Sequence, residues 1–219
     1  MVTPTRITMD AVRAPIYHVT DTPSTLDLAA TLLADTATAT PHLTTIIADS
    51  QSAGRGRLGR SWITPPGQAL LASTIVSLPS SLPAEALGWT VHACALAVRD
   101  ALTARLEPLG HTVTLKWPND VLVDGTRKIC GILAQLAPAS SPYMTAAILG
   151  YGINIAQEAG TMPTAQATSL LAEGDKQAGT APTSVAHALL GSILTGLDER
   201  IRSLITHGDA ANAGLLTEA

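Results

Sequence analysis

HTVTLKWPNDVLVDGTRKICGIL, residues 111–133, decides the fold class. HTVTLKW (111–117) reads as a strand. VLVDGTRKICGIL (121–133) reads as a β-hairpin, with Asp124-Gly125 supplying the tight turn that such a dipeptide favours. Strands joined by short turns are antiparallel, whereas a doubly wound parallel sheet needs a helical crossover between strands. The class is therefore α+β. Pro118-Asn119-Asp120 forces a turn between the two pieces, and Gly131 inside a strand marks close approach of a ligand or of another strand.

Working outward, MTAAILGYGINI (144–155) is the last strand, and loops rich in Gly, Thr and Pro occupy about 156–182. A long helix follows, with Val185, Leu189, Ile193, Leu197, Ile201 and Leu204 as its core stripe. Upstream, residues 84–107 carry Leu87, Val91, Ala95, Val98, Leu102 and Leu106 at steps of three and four, the pattern of an amphipathic helix. ALLASTIVSL (69–78), TTIIAD (44–49) and PIYHV (15–19) read as strands. Thr22-Pro23-Ser24 ends the first of these. Ser24 with Asp27 resembles a capping box that opens a helix over 25–35. No internal repeat is visible, and one domain is expected.

The chain has 219 residues, 13 basic against 17 acidic, and a formal net charge of −4. At 46% hydrophobic and 14% charged it is too apolar to be disordered. The acidic balance argues against a general nucleic-acid binder. No signal-peptide core and no apolar run of membrane-spanning length occurs. Cys94 and Cys130 lie in apolar runs without a CxxC partner, so they are expected as buried free thiols of a cytoplasmic protein. The six histidines show no HxxxH or HExxH spacing and no GxSxG elbow is present, so neither a metal knuckle nor a covalent nucleophile is indicated.

The sparse positive charge is concentrated. Arg55, Arg57 and Arg60 alternate with Gly54, Gly56 and Gly59. Glycine lets backbone N–H groups approach an anion, and arginine adds planar two-point contacts. The segment reads as an anion-binding loop or as a solvated flexible one. It lacks the Gly-Lys-Ser/Thr ending of a Walker A loop. Trp62 directly after it suits a lid over something flat. Lys116 lies between Leu115 and Trp117. If those two pack, the lysine faces a cleft or solvent. Gly150 and Gly152 around Tyr151 suggest either a ligand against bare backbone or a bulge.

These clusters occur in a telling order: QSAGRGRLGRSW (51–62), LKWPNDVLV (115–123), KICGIL (128–133), GYGIN (150–154) and ATSL (167–170). Over about residues 16–207 the chain resembles the catalytic domain of biotin protein ligases. The resemblance implies a mixed sheet flanked by helices, related to class II aminoacyl-tRNA synthetases. It implies biotin activation with ATP and Mg2+ to biotinyl-5′-adenylate, then transfer to a lysine of a biotin carboxyl carrier domain of acetyl-CoA or a related carboxylase. By resemblance, Ser24, Thr25 and Gln51 contact the biotin head. Arg55, Gly56 and Arg57 fold over biotin and its adenylate, and Lys116 reaches the carboxylate and α-phosphate. Gly131, Ile132 and Leu133 line the biotin slot, Asn119 and Asn154 lie near the nucleotide and its magnesium, and Trp62 walls the site. Lys116 and Arg57 are the implied catalytic pair.

Departures are visible too. Leu26 stands where the family usually has Asn, and Gln135 where it often has Glu. Residues 1–14 are expected as a flexible segment, 15–207 as the catalytic domain, and 208–219 as a tail where relatives continue into a small β-barrel. No N-terminal DNA-binding domain is recognised, so nucleic acid is not an expected partner; with no membrane-spanning run, neither is a membrane, and the chain is expected as a monomer or weak homodimer. A lipoate or octanoate transferase of the same fold, and a non-catalytic biotin-binding regulator, are the competing readings.

Overall fold

In β8 (Met144–Asn154), alternate side chains belong to two different cores, and that division organises the molecule. The computed structural model describes residues 4–9, 12–35, 40–138 and 143–216. Leu149, Tyr151 and Ile153 join the larger core beneath α2 (Ala84–Leu106) and α4 (Pro182–His207), which lie side by side on one face of the sheet. Ala146 and Ile148 face the other way. They pack with Leu26, Ala29 and Leu33 of α1 (Thr25–Ala34) and with Ile46 and Ile75. A ten-residue helix is about 15 Å long, too short to cover a strand of eleven residues. The same face of β8 therefore continues past α1 as Gly150, Gly152 and Asn154.

The sheet has eight strands. They are β1 (Thr5–Met9), β2 (Val12–Thr22), β3 (Thr44–Gln51), β4 (Ala69–Pro79), β5 (Val113–Lys116), β6 (Asp120–Val123), β7 (Arg127–Pro138) and β8, in the order β1-β2-β3-β4-β8-β7-β6-β5. Only the β2–β3 pair is parallel, because α1 is the crossover that joins two neighbouring strands running in the same direction. The rest is antiparallel, as the hairpin reading requires. Asp124 and Gly125 both take positive φ, 48° and 70°, and the Thr126 N–H donates to the Val123 carbonyl at 3.2 Å, which is the tight turn expected at that dipeptide. Both cysteines are buried and free, and burial pushes the Cys94 thiol up to about 12.

Several expectations needed correction. The first fourteen residues are not simply a flexible segment: Thr5–Met9 forms an edge strand on β2, which itself begins at Val12, while residues 1–3, 10 and 11 lie outside the described residues. Of the tail, 208–216 fold back, and Leu215 is buried with its carbonyl 3.2 Å from His92 Nε2. A short helix α3 (Lys176–Thr180), capped by the Asp175 carboxylate, interrupts the loops before α4. Ser24 occupies the N-cap position of α1 but its side chain makes no capping bond, and the Asp27 carboxylate, the other half of the expected capping box, pairs with Arg55 instead. Gly150 and Gly152 sit in unbroken register with Ser73 and Leu71, so this stretch is no bulge.

Candidate active site

One cavity of about 540 Å3 opens where α1 stops covering the sheet. Ser24, Thr25, Gln51, Arg55, Gly56, Arg57, Trp62, Lys116, Asn119, Gly131, Ile132, Leu133 and Asn154 all line it, so residues spread over 131 positions of sequence converge. Its floor is backbone: Gly131 and Gly152 are register partners on β7 and β8. A Cβ on Gly152 would meet the Trp62 indole at 2.5 Å, and one on Gly131 would meet it at 2.9 Å. Only glycine leaves room there for a flat group against the sheet. A wider groove of about 880 Å3 between α2 and α4 is lined chiefly by Ala, Gly, Ser and Thr, and its Arg200 is engaged by Asp100 at 2.6 Å.

At the α1 end, Gln51 Oε1 accepts from the Thr25 backbone N–H at 2.7 Å and from its hydroxyl at 3.0 Å. Ser73 in turn donates to that hydroxyl at 2.8 Å. Leu26 packs beside them and fills the space above Gly150, so this end of the slot pairs a polar edge with an apolar wall.

The arginine-glycine segment is a compact hairpin-like loop. Trp62 donates its backbone N–H to Gly54 at 2.8 Å, Gly56 donates to Arg60 at 2.6 Å, and Arg55 and Ser61 form an isolated bridge. A Cβ at Gly54 would lie 2.4 Å from the Trp62 carbonyl, which explains the glycine. Arg55 is held by Asp27 at 2.5 Å, and Arg57 donates to Asn119 Oδ1 at 3.2 Å. Leu58, in the left-handed region at φ 57°, is 88% exposed at the cavity mouth.

Lys116 is exposed at the mouth, and its neighbour Trp117 does not pack as the alternation required; it is 84% exposed. Strand β5 ends at Lys116, so the alternation lapses at Trp117. A second lysine, missed in the sequence reading, lies deeper. Lys128 Nζ is 2.7 Å from Asp120 Oδ1, 5.6 Å from the Trp62 ring centroid and 3.3 Å from where a Gly131 Cβ would stand. Strict alternation puts Lys128 and Gly131 on opposite faces. However, Val121 pairs with Cys130 and Leu122 with Lys128, so β7 holds one extra residue there. Ile129 and Cys130 both turn into the core, and the bulge re-aims Lys128 onto the cavity face. The lysine stands within KICGIL, but the register shift leaves no mark in residue type.

The far end is rich in amides. Asn154 Nδ2 donates to the Thr168 carbonyl at 2.9 Å, and Gln157 Nε2 donates to Asn154 Oδ1 at 3.1 Å. Gln157 and residues 161–164, 166 and 167 also line the cavity, and of these the sequence reading singles out only Ala167, within ATSL. That segment is tied to β7: Lys128 N–H donates to Gln166 at 2.6 Å, and Thr168 N–H to Lys128 at 2.8 Å.

Beneath it, Arg127 donates to both oxygens of Glu173, at 2.7 and 2.9 Å, and to Asp124 at 2.6 Å. His111 stands 2.9 Å from Asp124 and 3.5 Å from Glu173. This is the one grouping of three potential metal ligands among the described residues, but Arg127 already occupies its carboxylates. Burial opposes ionisation of Glu173, yet hydrogen bonds from Arg127 and Thr168 hold its carboxyl below the usual range. Hydrogen bonds from Thr112, His111 and Arg127 do the same for Asp124. A lowered folded-state value stabilises above the ordinary carboxylate pKa and is lost as pH falls through the folded value. Arg127→Leu is expected to cost about 2 kcal/mol at pH 7, since it strands a buried carboxylate. The difference in Tm from wild type should hold from pH 7 to about pH 5 and shrink as melts are taken below the ordinary carboxylate range towards pH 3. A constant difference would mean that the ion pairs are not its source.

Comparison with known proteins shows what the chain is similar to. A family model described as the biotin/lipoate A/B protein ligase family matches residues 18–154. The chain is 38% identical over 126 residues to a biotin--[acetyl-CoA-carboxylase] ligase of Mycobacterium tuberculosis, covering 58% of this chain and 44% of that protein. It is 33% identical over 172 residues to the bifunctional ligase/repressor BirA of Bacillus subtilis, covering 77% and 49%. It thus spans about half the length of these curated relatives. Among solved structures, the biotin protein ligase of Leishmania major in complex with biotinyl-5-AMP superposes with a TM-score of 0.63 at 27% identity, covering 88% of this chain and 78% of that one. The Aquifex aeolicus biotin protein ligase in complex with biotin and ATP gives 0.61 at 25%, covering 87% and 73%.

Proposed function

The chain belongs to the biotin/lipoate A/B protein ligase family, and from that premise we propose that it activates biotin with ATP to biotinyl-5′-adenylate and passes the biotin to a lysine of a biotin carboxyl carrier domain. The observation that carries this reading is the convergence of all thirteen residues implied by the resemblance on one cavity with a glycine floor. Relatives described as biotin ligases, and a similar structure holding biotinyl-5-AMP, support it.

The chemistry asks little covalent work of the protein. A biotin carboxylate oxygen attacks the α-phosphorus, the bond to the bridging oxygen breaks, and pyrophosphate leaves. Then the carrier lysine's neutral amine attacks the acyl carbon and AMP departs. The first step drives an anion towards a polyanion, so fixed positive charge and positioning carry the catalysis. Thr25 and Gln51 suit the polar ring of biotin, and the Gly131–Gly152 floor lies along the slot. Lys128, set deeper in the cavity than Lys116, suits the point where carboxylate and α-phosphate meet. Arg57 and Arg60 extend positive charge to the mouth, while Asn119, Asn154 and Gln157 suit the nucleoside. Mg2+ would arrive with the triphosphate and neutralise phosphate charge. The cavity carboxylate nearest that region is Asp120, which already pairs with Lys128.

Pyrophosphate release that depends on both biotin and ATP, with lipoate as control, tests the reading. Biotin-dependent release is expected. Release with lipoate but not biotin would favour the transferase alternative, and biotin binding without release would favour the regulator. No helix among the described residues is long and apolar enough to cross a membrane. We place no nucleic acid among the partners.

A further inference from the structure

Gln157 is 3% exposed, it lines the cavity wall, and its Oε1 finds no donor among the described residues. The orientation of that amide follows from its neighbours. The Thr168 carbonyl can only accept, so Asn154 must direct Nδ2 at it, which turns Asn154 Oδ1 towards Gln157. Gln157 must then donate through Nε2, leaving Oε1 as the terminus of the chain. The Gln157 backbone cannot readily turn away, because its carbonyl accepts from Ser169 Oγ at 2.6 Å. A buried carbonyl oxygen without a donor is costly unless a ligand completes it.

We propose that Gln157 Oε1 accepts a hydrogen bond from the exocyclic amine of adenine, and that this contact makes the site select ATP over 6-oxopurine nucleotides. The inference rests on the adenylation reading above. Of the two small substrates, biotin offers the N–H groups of its ureido ring and ATP the exocyclic amine of adenine. The biotin ring is the wrong one on position. Thr25 is bonded to Ser73, which pairs with Gly150, and Asn154 lies four residues further along β8, about 13 Å away at 3.3 Å per residue. Gln157 lies beyond Asn154, at the nucleotide end. An inosine or guanine base offers a carbonyl oxygen at the same position, and two acceptors facing one another repel. Because the oxygen is buried, the amine must insert into the wall to reach it, with displacement of whatever side chain covers it.

The test compares equilibrium binding of ATP, ITP and purine riboside triphosphate, which lacks the amine, in the presence of biotin. Wild type is expected to bind ATP about tenfold tighter than the purine analogue, the worth of one hydrogen bond to a buried acceptor, and to bind ITP more weakly still. Gln157→Met should erase the preference between ATP and the analogue, and Gln157→Glu, which keeps an acceptor oxygen, should retain it. Equal binding of ATP and the analogue by wild type overturns the inference alone and needs no variant. A preference that survives in Gln157→Met does the same, as does a variant that loses biotin affinity without nucleotide. Failure of wild type to bind any of the three nucleotides would overturn the adenylation reading, and this proposal with it.

Discussion

Lys128→Ala is expected to slow biotin-dependent pyrophosphate release about 100- to 1,000-fold, the usual cost of deleting one fixed charge or donor aimed at developing charge. Lys128 Nζ is held by Asp120 at 2.7 Å, beside the glycine floor and 5.6 Å from the Trp62 ring centroid, so its position is set before any anion arrives. Lys116 belongs to the same cavity but is exposed, where solvent and salt screen its charge. Lys116→Ala should therefore lose less. Single-turnover adenylation with each variant, alongside biotin affinity without ATP, separates charge stabilisation from binding. A near-wild-type rate in Lys128→Ala with a large loss in Lys116→Ala would reverse the two roles.

Gly152→Val should abolish biotin binding, with Kd raised at least 100-fold, while leaving the fold intact. The Gly152 backbone is an ordinary strand, and valine is at home in strands. The three atoms nearest the new Cβ all belong to the Trp62 indole, the closest at 2.5 Å. Even with Trp62 displaced, the branched side chain would stand where a flat ligand has to lie. Tm should stay within a few degrees of wild type, because the opposite face of β8, with Tyr151 and Ile153 in the core, is untouched. Wild-type biotin affinity in this variant would show that the glycine floor is not the biotin slot.

What could be read without coordinates was local. Bounded β-branched and apolar runs at 44–49, 69–78 and 144–155 became strands buried on both faces, and period-three-to-four runs at 84–107 and from 185 onward became helices, because these signals are set by neighbouring residues alone. The Asp124-Gly125 turn was readable for the same reason: positive φ is a property of those residues. Resemblance then assembled the site, since its thirteen residues all reach one cavity. What only the tertiary structure decided depends on pairing between distant segments. The extra residue in β7 that turns Lys128 to the ligand face exists only relative to β6. The Asp27 carboxylate left the expected capping box because Arg55, 28 positions away, took it. Gln157 Oε1 was left without a donor because the carbonyl of Thr168, a residue whose N–H bonds to Lys128 on another strand, orients Asn154 first. Spacing along a chain decides which face a residue shows; which partner waits on that face is settled by register and by the order in which hydrogen bonds are already taken.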